Sequence, residues 1–376
     1  MTSSAGTRRL KVLLDLRPLL DRQTGVANFC RGASTALAAR EGLDVGGYAV
    51  TWRRQRDIPP LLPAGVAWRS RPMPARPTEA AWRRLGRPPL EWIVGAADVV
   101  HGTNFVVPPT RRAARVMTVH DLTPVHYPEM CEPPTLRYPD VVRRAVAEGA
   151  WVHTPSQFVA DEVVELLGVD RDRVRAVPSG IPPLTSDGQD PGRTVAPDGP
   201  FVLAVGTVEP RKDYPTLVGA FDRLAEKRGD LALVIAGADG WGAADLDTAV
   251  RDLRHPNQVL RAGYRSDKEL AWLVRHAEVL VYPSLYEGFG FPPLQAMKAG
   301  VPVVTTDAGA VPEVVGDAAL VVPVRDSDAL ASALESVLDD PDEAARLRCA
   351  GREHAARFTW EACAAGLELL YRDACS

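Results

Sequence analysis

The chain has 376 residues, of which 46% are apolar and 24% are charged. This length fits two domains of ordinary size, and this composition excludes intrinsic disorder. The net charge of −4, with the more basic half first, gives no indication of a nucleic-acid-binding protein.

The chain shows no signal for membrane insertion or secretion. No apolar run reaches the roughly 20 residues that a membrane helix needs, and residues 1–9 lack the apolar core of a signal peptide. The five cysteines are scattered, odd in number and without metal-ligand spacing. We therefore expect a cytosolic protein with free thiols.

Short β-branched runs alternate with amphipathic helical stretches in the first half. Alternation of this kind predicts a parallel sheet covered by helices. The predicted strands are 11–16, 45–50, 98–101, 115–120 and 151–154. A helix is predicted from Val26 to Ala39, after a loop that contains Gly25, and Ser156 is placed to cap a second helix that ends at Leu167.

A second series of strands and helices follows a segment rich in Pro, Gly, Ser and Asp at 181–199, which we interpret as a linker. The predicted strands of this series are 201–205, 231–236, 258–261 and 279–282. The predicted helices are 215–228, 266–276, 293–299, 326–338, 343–352 and 360–373. Ser266 and Glu269 form the pattern of a capping box. Two parallel sheets joined by one linker would leave a cleft, with ligands beyond the carboxyl ends of the strands.

The loop after strand 279–282 carries the strongest chemical signal in the sequence. Gly288 and Gly290 allow the backbone to turn tightly and to approach a ligand. Two prolines then open a helix whose free N–H groups form an anion site. Glu287 before the turn and Gln295 on the helix can flank one bound molecule. The alternative is an ordinary Gly-Pro turn with a surface glutamate.

This segment, EGFGFPPLQAM, resembles the signature of the family 4 retaining glycosyltransferases. The resemblance extends over almost the whole chain, through the motifs GTVEPRKD (206–213), GYRSDKEL (263–270), AGVPVV (299–304), AGAVPEVVGDA (308–318) and VHDLTPVHYP (119–128). It implies the α/β GT-B fold, in which two Rossmann-like domains with parallel sheets face a central cleft. The implied domains are an acceptor-binding domain (1–185), a linker (186–199), a donor-binding domain (200–358) and a helix that crosses back (359–376).

Gln295 departs from the family, which has a second glutamate at this position that binds the ribose hydroxyls. A carboxylate accepts from both hydroxyls, whereas an amide accepts once and donates once. Two interpretations remain open: a donor whose nucleotide is held differently, such as the 2′-deoxyribose of a dTDP-sugar, or a neutral change that keeps the hydrogen bond.

The resemblance also assigns roles to residues outside this loop. It makes Arg211 and Lys212 the diphosphate clamp, with catalytic roles shared by Glu287 and by His120, which faces the donor sugar. The donor site then contains Gly25, Gly206, Thr207, Arg211, Lys212, Tyr264, Glu287, Gly288, Phe289, Gly290, Phe291 and Gln295. Asn104, Phe105 and Asp121 are assigned to the acceptor. Taken alone, a strand-end histidine, an Arg-Lys pair or a Thr-Gly turn would more often be structural.

Four tryptophans and nine arginines alternate within residues 52–92. This pattern fits docking to an anionic membrane surface or to a lipid-phosphate acceptor. It also fits a solvated face with tryptophans as core anchors, because the helical periodicity is poor and proline is frequent. Contact with the inner face of the membrane is therefore left open.

The implied reaction transfers a hexosyl unit from a GDP-, UDP- or dTDP-sugar to a hydroxyl of a glycan, a lipid-linked saccharide or a small natural product. No metal cofactor is expected: the resemblance implies none, and the sequence offers no convincing Asp-x-Asp motif or histidine cluster for one. A Rossmann dehydrogenase is disfavoured because the first strand lacks a following G-x-G-x-x-G turn. The remaining alternative is a non-catalytic GT-B protein that binds nucleotide sugars.

Overall fold

The computed structural model describes residues 9–20, 24–184 and 193–376, apart from the side chain of Thr194. The chain divides into two compact units. Met1–Gly180 and Phe358–Ser376 form the first unit, and Ile181–Arg357 forms the second.

The first unit contains a parallel sheet of seven strands in the order β3-β2-β1-β4-β5-β6-β7. Its strands are β1 (Leu10–Asp15), β2 (Leu43–Tyr48), β3 (Ala67–Trp68), β4 (Val99–Gly102), β5 (Ala114–Thr118), β6 (Trp151–Thr154) and β7 (Val174–Ala176). Its helices are α1 (Gly25–Ala38), α2 (Ala75–Leu85), α3 (Glu91–Val94), α4 (Thr123–His126), α5 (Tyr138–Ala147), α6 (Gln157–Leu167) and α14 (Trp360–Ala374).

The second unit contains a parallel sheet of six strands in the order β10-β9-β8-β11-β12-β13. Its strands are β8 (Phe201–Val205), β9 (Ala232–Ala236), β10 (Val259–Gly263), β11 (Val279–Tyr282), β12 (Val303–Thr306) and β13 (Leu320–Val322). Its helices are α7 (Tyr214–Lys227), α8 (Ala243–Arg251), α9 (Asp267–His276), α10 (Phe291–Ala299), α11 (Val311–Val315), α12 (Ser327–Asp339) and α13 (Pro341–Ala355).

The central strands of both sheets are largely apolar because helices cover both faces of each sheet. All four residues of β4 and of β11 are buried. The prediction of two parallel α/β sheets is thereby confirmed. In each sheet the strand order reverses once, between β1 and β4 and between β8 and β11. Ligands of open α/β sheets bind beyond the carboxyl ends of the strands at such points of reversal.

The predicted helix caps are present because they depend only on local sequence. The Ser156 hydroxyl accepts from the Val159 N–H at the start of α6. Ser266 and Glu269 form a complete capping box at the start of α9. The short strands β3, β7, β12 and β13 were not predicted. Runs of two or three residues carry too little periodicity, and the four residues of β12 lie within a motif that was not interpreted as a strand.

The tryptophan- and arginine-rich region contains a helix that its proline content obscured. Pro77 lies in the first turn of α2, where a missing N–H costs little. Trp82 is buried, and its indole N–H donates to the Pro88 carbonyl at 2.8 Å. Trp52 and Trp92 are exposed, at 62% and 66%. One of the four tryptophans is therefore a core anchor, and these two remain available for contact with a partner.

The predicted linker lies partly outside the described residues, which resume at Arg193. The second unit begins at Ile181, and α14 belongs to the first unit. Within the described ranges, no helix is long and apolar enough to span a membrane.

Candidate active site

The point of reversal in the second sheet brings together three residues from two motifs that are far apart in the sequence. Arg211 and Lys212 lie in a 3-10 turn after β8, and Glu287 lies in the loop after β11. Because β8 and β11 are neighbouring parallel strands, the loops that follow them meet at one edge of the sheet.

Three donors converge on one oxygen of Glu287. Its Oε1 lies 2.6 Å from Lys212 Nζ, 2.7 Å from Arg211 Nη1 and 2.8 Å from Ser284 Oγ. The Lys212 ammonium also donates to the Tyr282 hydroxyl at 2.9 Å and lies 4.6 Å from the centre of that ring. The Glu287 side chain is only 11% exposed, so this ion cluster is largely shielded from water.

The charges of this cluster fix its protonation states. Burial alone would raise the pKa of Glu287, but the Arg211 and Lys212 cations hold it far below its usual range. Burial lowers the pKa of Lys212, and Glu287 opposes that fall. Glu287 is therefore ionised at neutral pH. A second carboxylate, that of Glu209, lies 3.6 Å from Arg211 Nη2, so the two cations face two carboxylates. Arg211 and Lys212 still supply fixed N–H donors of the kind that bind phosphate oxygens.

Two glycines let the backbone close tightly beside the cluster. Gly206 has φ 148° and lies after β8, and a Cβ there would approach Lys212 Cε to 3.1 Å. A Cβ on Gly237, after β9, would lie 1.8 Å from the Gly206 carbonyl oxygen. The strand-end backbones therefore occupy the space that side chains would otherwise fill. Thr207, beside them, is exposed.

Gly290 precedes α10 with φ 125°, a conformation that glycine adopts without strain. Pro292 and Pro293 occupy the first turn of α10, whose positive end adjoins the Glu287 loop. Gly288 is buried in that loop. The Phe289 ring is also buried and packs edge-on against Phe291, with centroids 5.3 Å apart.

Gln295 lies on α10 and is held by the chain itself. Its side-chain Nε2 donates to the Pro182 carbonyl at 3.3 Å. Since the amide nitrogen is engaged, Oε1 is the part of this side chain oriented to accept from a ligand. A carboxylate at this position could not donate a hydrogen bond to the Pro182 carbonyl. Glutamine at position 295 therefore matches the local backbone, and glutamate would not. Tyr264, which follows β10, is half exposed.

His120 lies beyond β5 in the first unit and is held in one tautomer. Its Nε2 donates to the Thr103 carbonyl at 2.9 Å, and the Thr103 hydroxyl donates to the Asp15 carbonyl at 2.6 Å. Burial lowers the pKa of His120, although the Thr103 bond and Asp121 oppose that shift. The neutral ring therefore presents Nδ1 as an acceptor, and no described residue donates to it.

The predicted acceptor residues differ in their surroundings. Phe105 is buried, with φ 54°, and stacks on Tyr138 at a centroid distance of 4.4 Å. Phe105 is therefore not accessible to a ligand, whereas the neighbouring Asn104 is partly exposed. Asp121 accepts from the Thr123 N–H at 2.9 Å and so shapes the loop after His120. Gly25 is the first residue of α1 and follows Thr24, which caps that helix.

Several residues around the cluster were not predicted from sequence. Ser284 and Tyr282 hold the Glu287–Lys212 pair, and Gly309 approaches the Glu287 backbone so closely that a Cβ would lie 2.6 Å from its carbonyl oxygen. Ser284 lies three residues before Glu287 in the same loop, and that spacing alone does not predict a hydrogen bond between them. Gly309 lies in the 308–318 motif and could have been included. Among the residues that the structure describes, no group of three or more His, Cys, Asp or Glu could hold a metal ion.

Comparison with solved structures defines the class of the protein. Sucrose-phosphate synthase from Thermosynechococcus elongatus superposes with a TM-score of 0.73 at 23% identity, over 97% of this chain and 98% of that chain. Alr3699/HepE from Anabaena, solved in complex with UDP-glucose, superposes with a TM-score of 0.70 at 18% identity, over 96% and 99%. This chain therefore has the GT-B glycosyltransferase fold.

Sequence comparison then gives the family. The family described as Glycosyltransferase Family 4 matches residues 24–183, and the family described as Glycosyl transferases group 1 matches residues 188–354. O-antigen chain mannosyltransferase B from Escherichia coli is 34% identical over 281 residues, which cover 70% of this chain and 71% of that protein. The chain belongs to glycosyltransferase family 4.

Proposed function

We propose that this glycosyltransferase moves a hexosyl unit from a nucleotide-diphosphate sugar to an acceptor hydroxyl, with retention at the anomeric carbon and without a metal ion. The observation that carries the proposal is the buried cluster of Glu287 with Arg211 and Lys212, beside the positive end of α10 at the carboxyl edge of the second sheet.

Arg211 and Lys212 bind the diphosphate of the donor. As the sugar–phosphate bond breaks, charge accumulates on the phosphate oxygens, and fixed cations in a dry site stabilise it. The positive end of α10 favours the same anion. Its first turn contains Pro292 and Pro293, which have no N–H group, so the helix acts there through its dipole. These groups would stabilise the charge of the leaving diphosphate, which a divalent ion stabilises in other transferases. The proposal therefore needs no metal ion.

Glu287 binds a hydroxyl of the donor sugar and holds the two cations in place. Its role as a covalent nucleophile is disfavoured, because a carboxylate engaged by two cations and a hydroxyl is a weak nucleophile. A same-face substitution accounts for retention instead. In that step the acceptor oxygen bonds to the anomeric carbon as the bond to phosphate breaks, and the departing phosphate takes the acceptor proton.

His120 of the first unit accepts a hydrogen bond from the donor sugar through Nδ1, and Asn104 and Asp121 belong to the acceptor side. The ligands named by the relatives differ: UDP-glucose is bound by the Anabaena protein, and the Escherichia coli relative is a mannosyltransferase. The acceptor class is a saccharide, a lipid-linked glycan or a small natural product.

The proposal also includes contact with an anionic membrane surface through the first unit. The exposed side chains of Trp52, Leu85 and Trp92 accompany arginines on α2 and the loop after it. Sedimentation with phosphatidylglycerol vesicles, compared with phosphatidylcholine vesicles, tests this contact. Binding to the anionic vesicles that is lost in Trp92→Ser supports it, and equal recovery with both vesicles contradicts it.

A thermal-shift panel followed by a transfer assay tests the function. We expect UDP, GDP or dTDP and their sugars to raise the melting temperature, because a ligand that binds only the folded state stabilises it. The stabilising donor should then be hydrolysed or transferred in the presence of EDTA. Binding without turnover of any donor would instead support the non-catalytic alternative.

A further inference from the structure

A chain of four buried polar side chains crosses the first unit and is not used by the proposed chemistry. It consists of Tyr371 on α14, His101 on β4, Thr118 on β5 and His153 on β6, and all four are at most 1% exposed. The chain ends on the carbonyl of Val177, just after β7. We refer to these five residues as the relay.

The hydrogen bonds of the relay are short and continuous. Tyr371 Oη lies 2.7 Å from His101 Nδ1, and His101 Nε2 lies 2.8 Å from Thr118 Oγ1. Thr118 Oγ1 lies 2.9 Å from His153 Nδ1, and His153 Nε2 lies 3.0 Å from the Val177 carbonyl oxygen. Both imidazole rings therefore use both of their nitrogens.

Only one direction of donation satisfies every member of the relay. The Val177 carbonyl can only accept, so His153 carries its proton on Nε2 and accepts at Nδ1 from the Thr118 hydroxyl. The Thr118 oxygen then accepts from His101 Nε2–H, and His101 Nδ1 accepts from the Tyr371 hydroxyl. Both rings must be neutral for this arrangement. Burial satisfies that condition, since it lowers the pKa of His153 to about 4 and that of His101 well below 6.5.

Helix α14 contacts both ends of the relay. Tyr371 supplies the first donor, and one and a half turns earlier Gly366 lies so close to Val177 that a Cβ would be 2.6 Å from Val177 Cγ1. A buried hydrogen-bond chain adds little net stability over apolar side chains of the same shape, but it permits one arrangement only. The relay therefore fixes the position of α14 against β4, β5 and β6.

The relay reaches the candidate active site through Phe29. The Phe29 ring is buried and stacks on His153, with centroids 5.3 Å apart and an interplanar angle of 21°. The same ring meets His120 edge-on, with centroids 5.3 Å apart at 78°. His120 is thus held by the Thr103 carbonyl and by the rings of Phe29 and Phe105, and of these Phe29 also stacks on His153 of the relay.

We propose that Tyr371 is a positioning residue for His120, and that it acts through the relay and Phe29 to set the ring that presents Nδ1 to the donor sugar. The role of His120 rests on the proposed function. The arrangement of the relay does not, because it follows from the hydrogen bonds of the first unit alone.

The test compares Tyr371→Phe with Leu370→Met, a volume-conserving change at a neighbouring buried position of α14. Two readouts are needed: the imidazole ¹⁵N shifts of His120, His101 and His153 in the unliganded protein, and kcat and KM with the donor that supports transfer. We expect Tyr371→Phe to shift the His101 and His120 signals and to lower kcat at least about fivefold, with KM little changed. Leu370→Met should leave both readouts at wild-type values.

A second pair of variants keeps the test decisive if Tyr371→Phe folds poorly. Thr118→Val removes the hydroxyl from the relay, and Thr118→Ser retains it. The serine variant should restore the His120 signals and kcat relative to the valine variant. A lower melting temperature with unchanged His120 signals and unchanged kcat would overturn the proposal and leave the relay a purely structural feature. Absence of transfer by the wild type would instead refute the proposed function, while the ¹⁵N shifts would still test the relay.

Discussion

The Glu287 carboxylate and the Lys212 ammonium lie 2.6 Å apart, although 75 residues separate them in the chain. They meet because β8 and β11 are neighbouring strands. Arg211 joins the pair, so one buried carboxylate is shared by two cations. The contact links the stability of the second unit to its proposed chemistry, because removing the Glu287 carboxylate deprives both cations of their shared partner.

Glu287→Gln should therefore damage both folding and activity. Removing one partner from a buried ion pair costs about 3 kcal/mol of unfolding free energy, since the buried Lys212 ammonium loses the carboxylate it pairs with. The transfer rate should fall about 100-fold or more, because the cations lose their fixed positions. Denaturant titration and steady-state kinetics measure the two effects. Adding Lys212→Met should recover part of the stability and none of the rate, and recovery of the rate would contradict the assigned roles.

Gln295→Glu tests the part of the site in which this chain departs from its family. The amide donates to the Pro182 carbonyl, and a carboxylate would instead place two acceptors together. We expect the variant to weaken binding of the preferred nucleotide and to change the order of preference among UDP, GDP and dTDP. Calorimetric titration of the three diphosphates gives that order. If the variant and the wild type rank them identically, the deoxyribose hypothesis is wrong.

Gly237→Ala should destabilise the second unit, because the new Cβ would lie 1.8 Å from the Gly206 carbonyl oxygen. The backbone must move to relieve that overlap, which should lower the free energy of unfolding by about 2 kcal/mol. Gly219→Ala is the matched control, since Gly219 lies within α7 with no atom within 4 Å of the added Cβ. There the substitution should be neutral or stabilise the helix by up to about 1 kcal/mol. Equal melting temperatures for the two variants would contradict the close approach of the two strand ends.

Mild acid should destabilise the first unit through the relay. Burial lowers the pKa of His153 from 6.5 to about 4. The unfolded chain then binds more protons than the folded chain between these values, so stability is lost as the pH falls below 6.5. Between pH 7 and pH 5, His153 alone should lower the free energy of unfolding by about 2 kcal/mol.

Denaturant unfolding at the two pH values measures this loss. His153→Gln should reduce the pH dependence by about this amount and leave the part due to His101 and His120, whereas His276→Gln, at an exposed position, should not change it. A wild-type stability that is constant from pH 7 to pH 5 would show that His153 is not buried in its neutral form.

Features that depend on neighbouring residues could be predicted from the sequence. The caps at Ser156 and Ser266 and the Gly-Pro turn before α10 need only a few residues each. Glu287, Arg211 and Lys212 could be named because they lie in motifs. Their mutual pairing could not be predicted, since it requires knowing that β8 and β11 are adjacent.

The hydrogen bonds of the relay could not be predicted from the sequence either. His101 and His153 are single histidines within apolar strands, a pattern that indicates no specific partner. Their connection arises from the order of β4, β5 and β6 and from the return of α14 to the first unit. Phe105 also follows a strand, but its side chain turns back into the core, as its positive φ allows. A position after a strand therefore does not by itself place a side chain at the site.

Transfer from isotope-labelled nucleotide-diphosphate sugars, with NMR analysis of the product and matched reactions of wild type and Glu287→Gln, tests the central claim most directly. We predict that the wild type, in the presence of EDTA, gives a product with the anomeric configuration of the donor, and that Glu287→Gln gives about 100-fold less. An inverted product, a requirement for a divalent metal ion or full activity of Glu287→Gln would contradict the account.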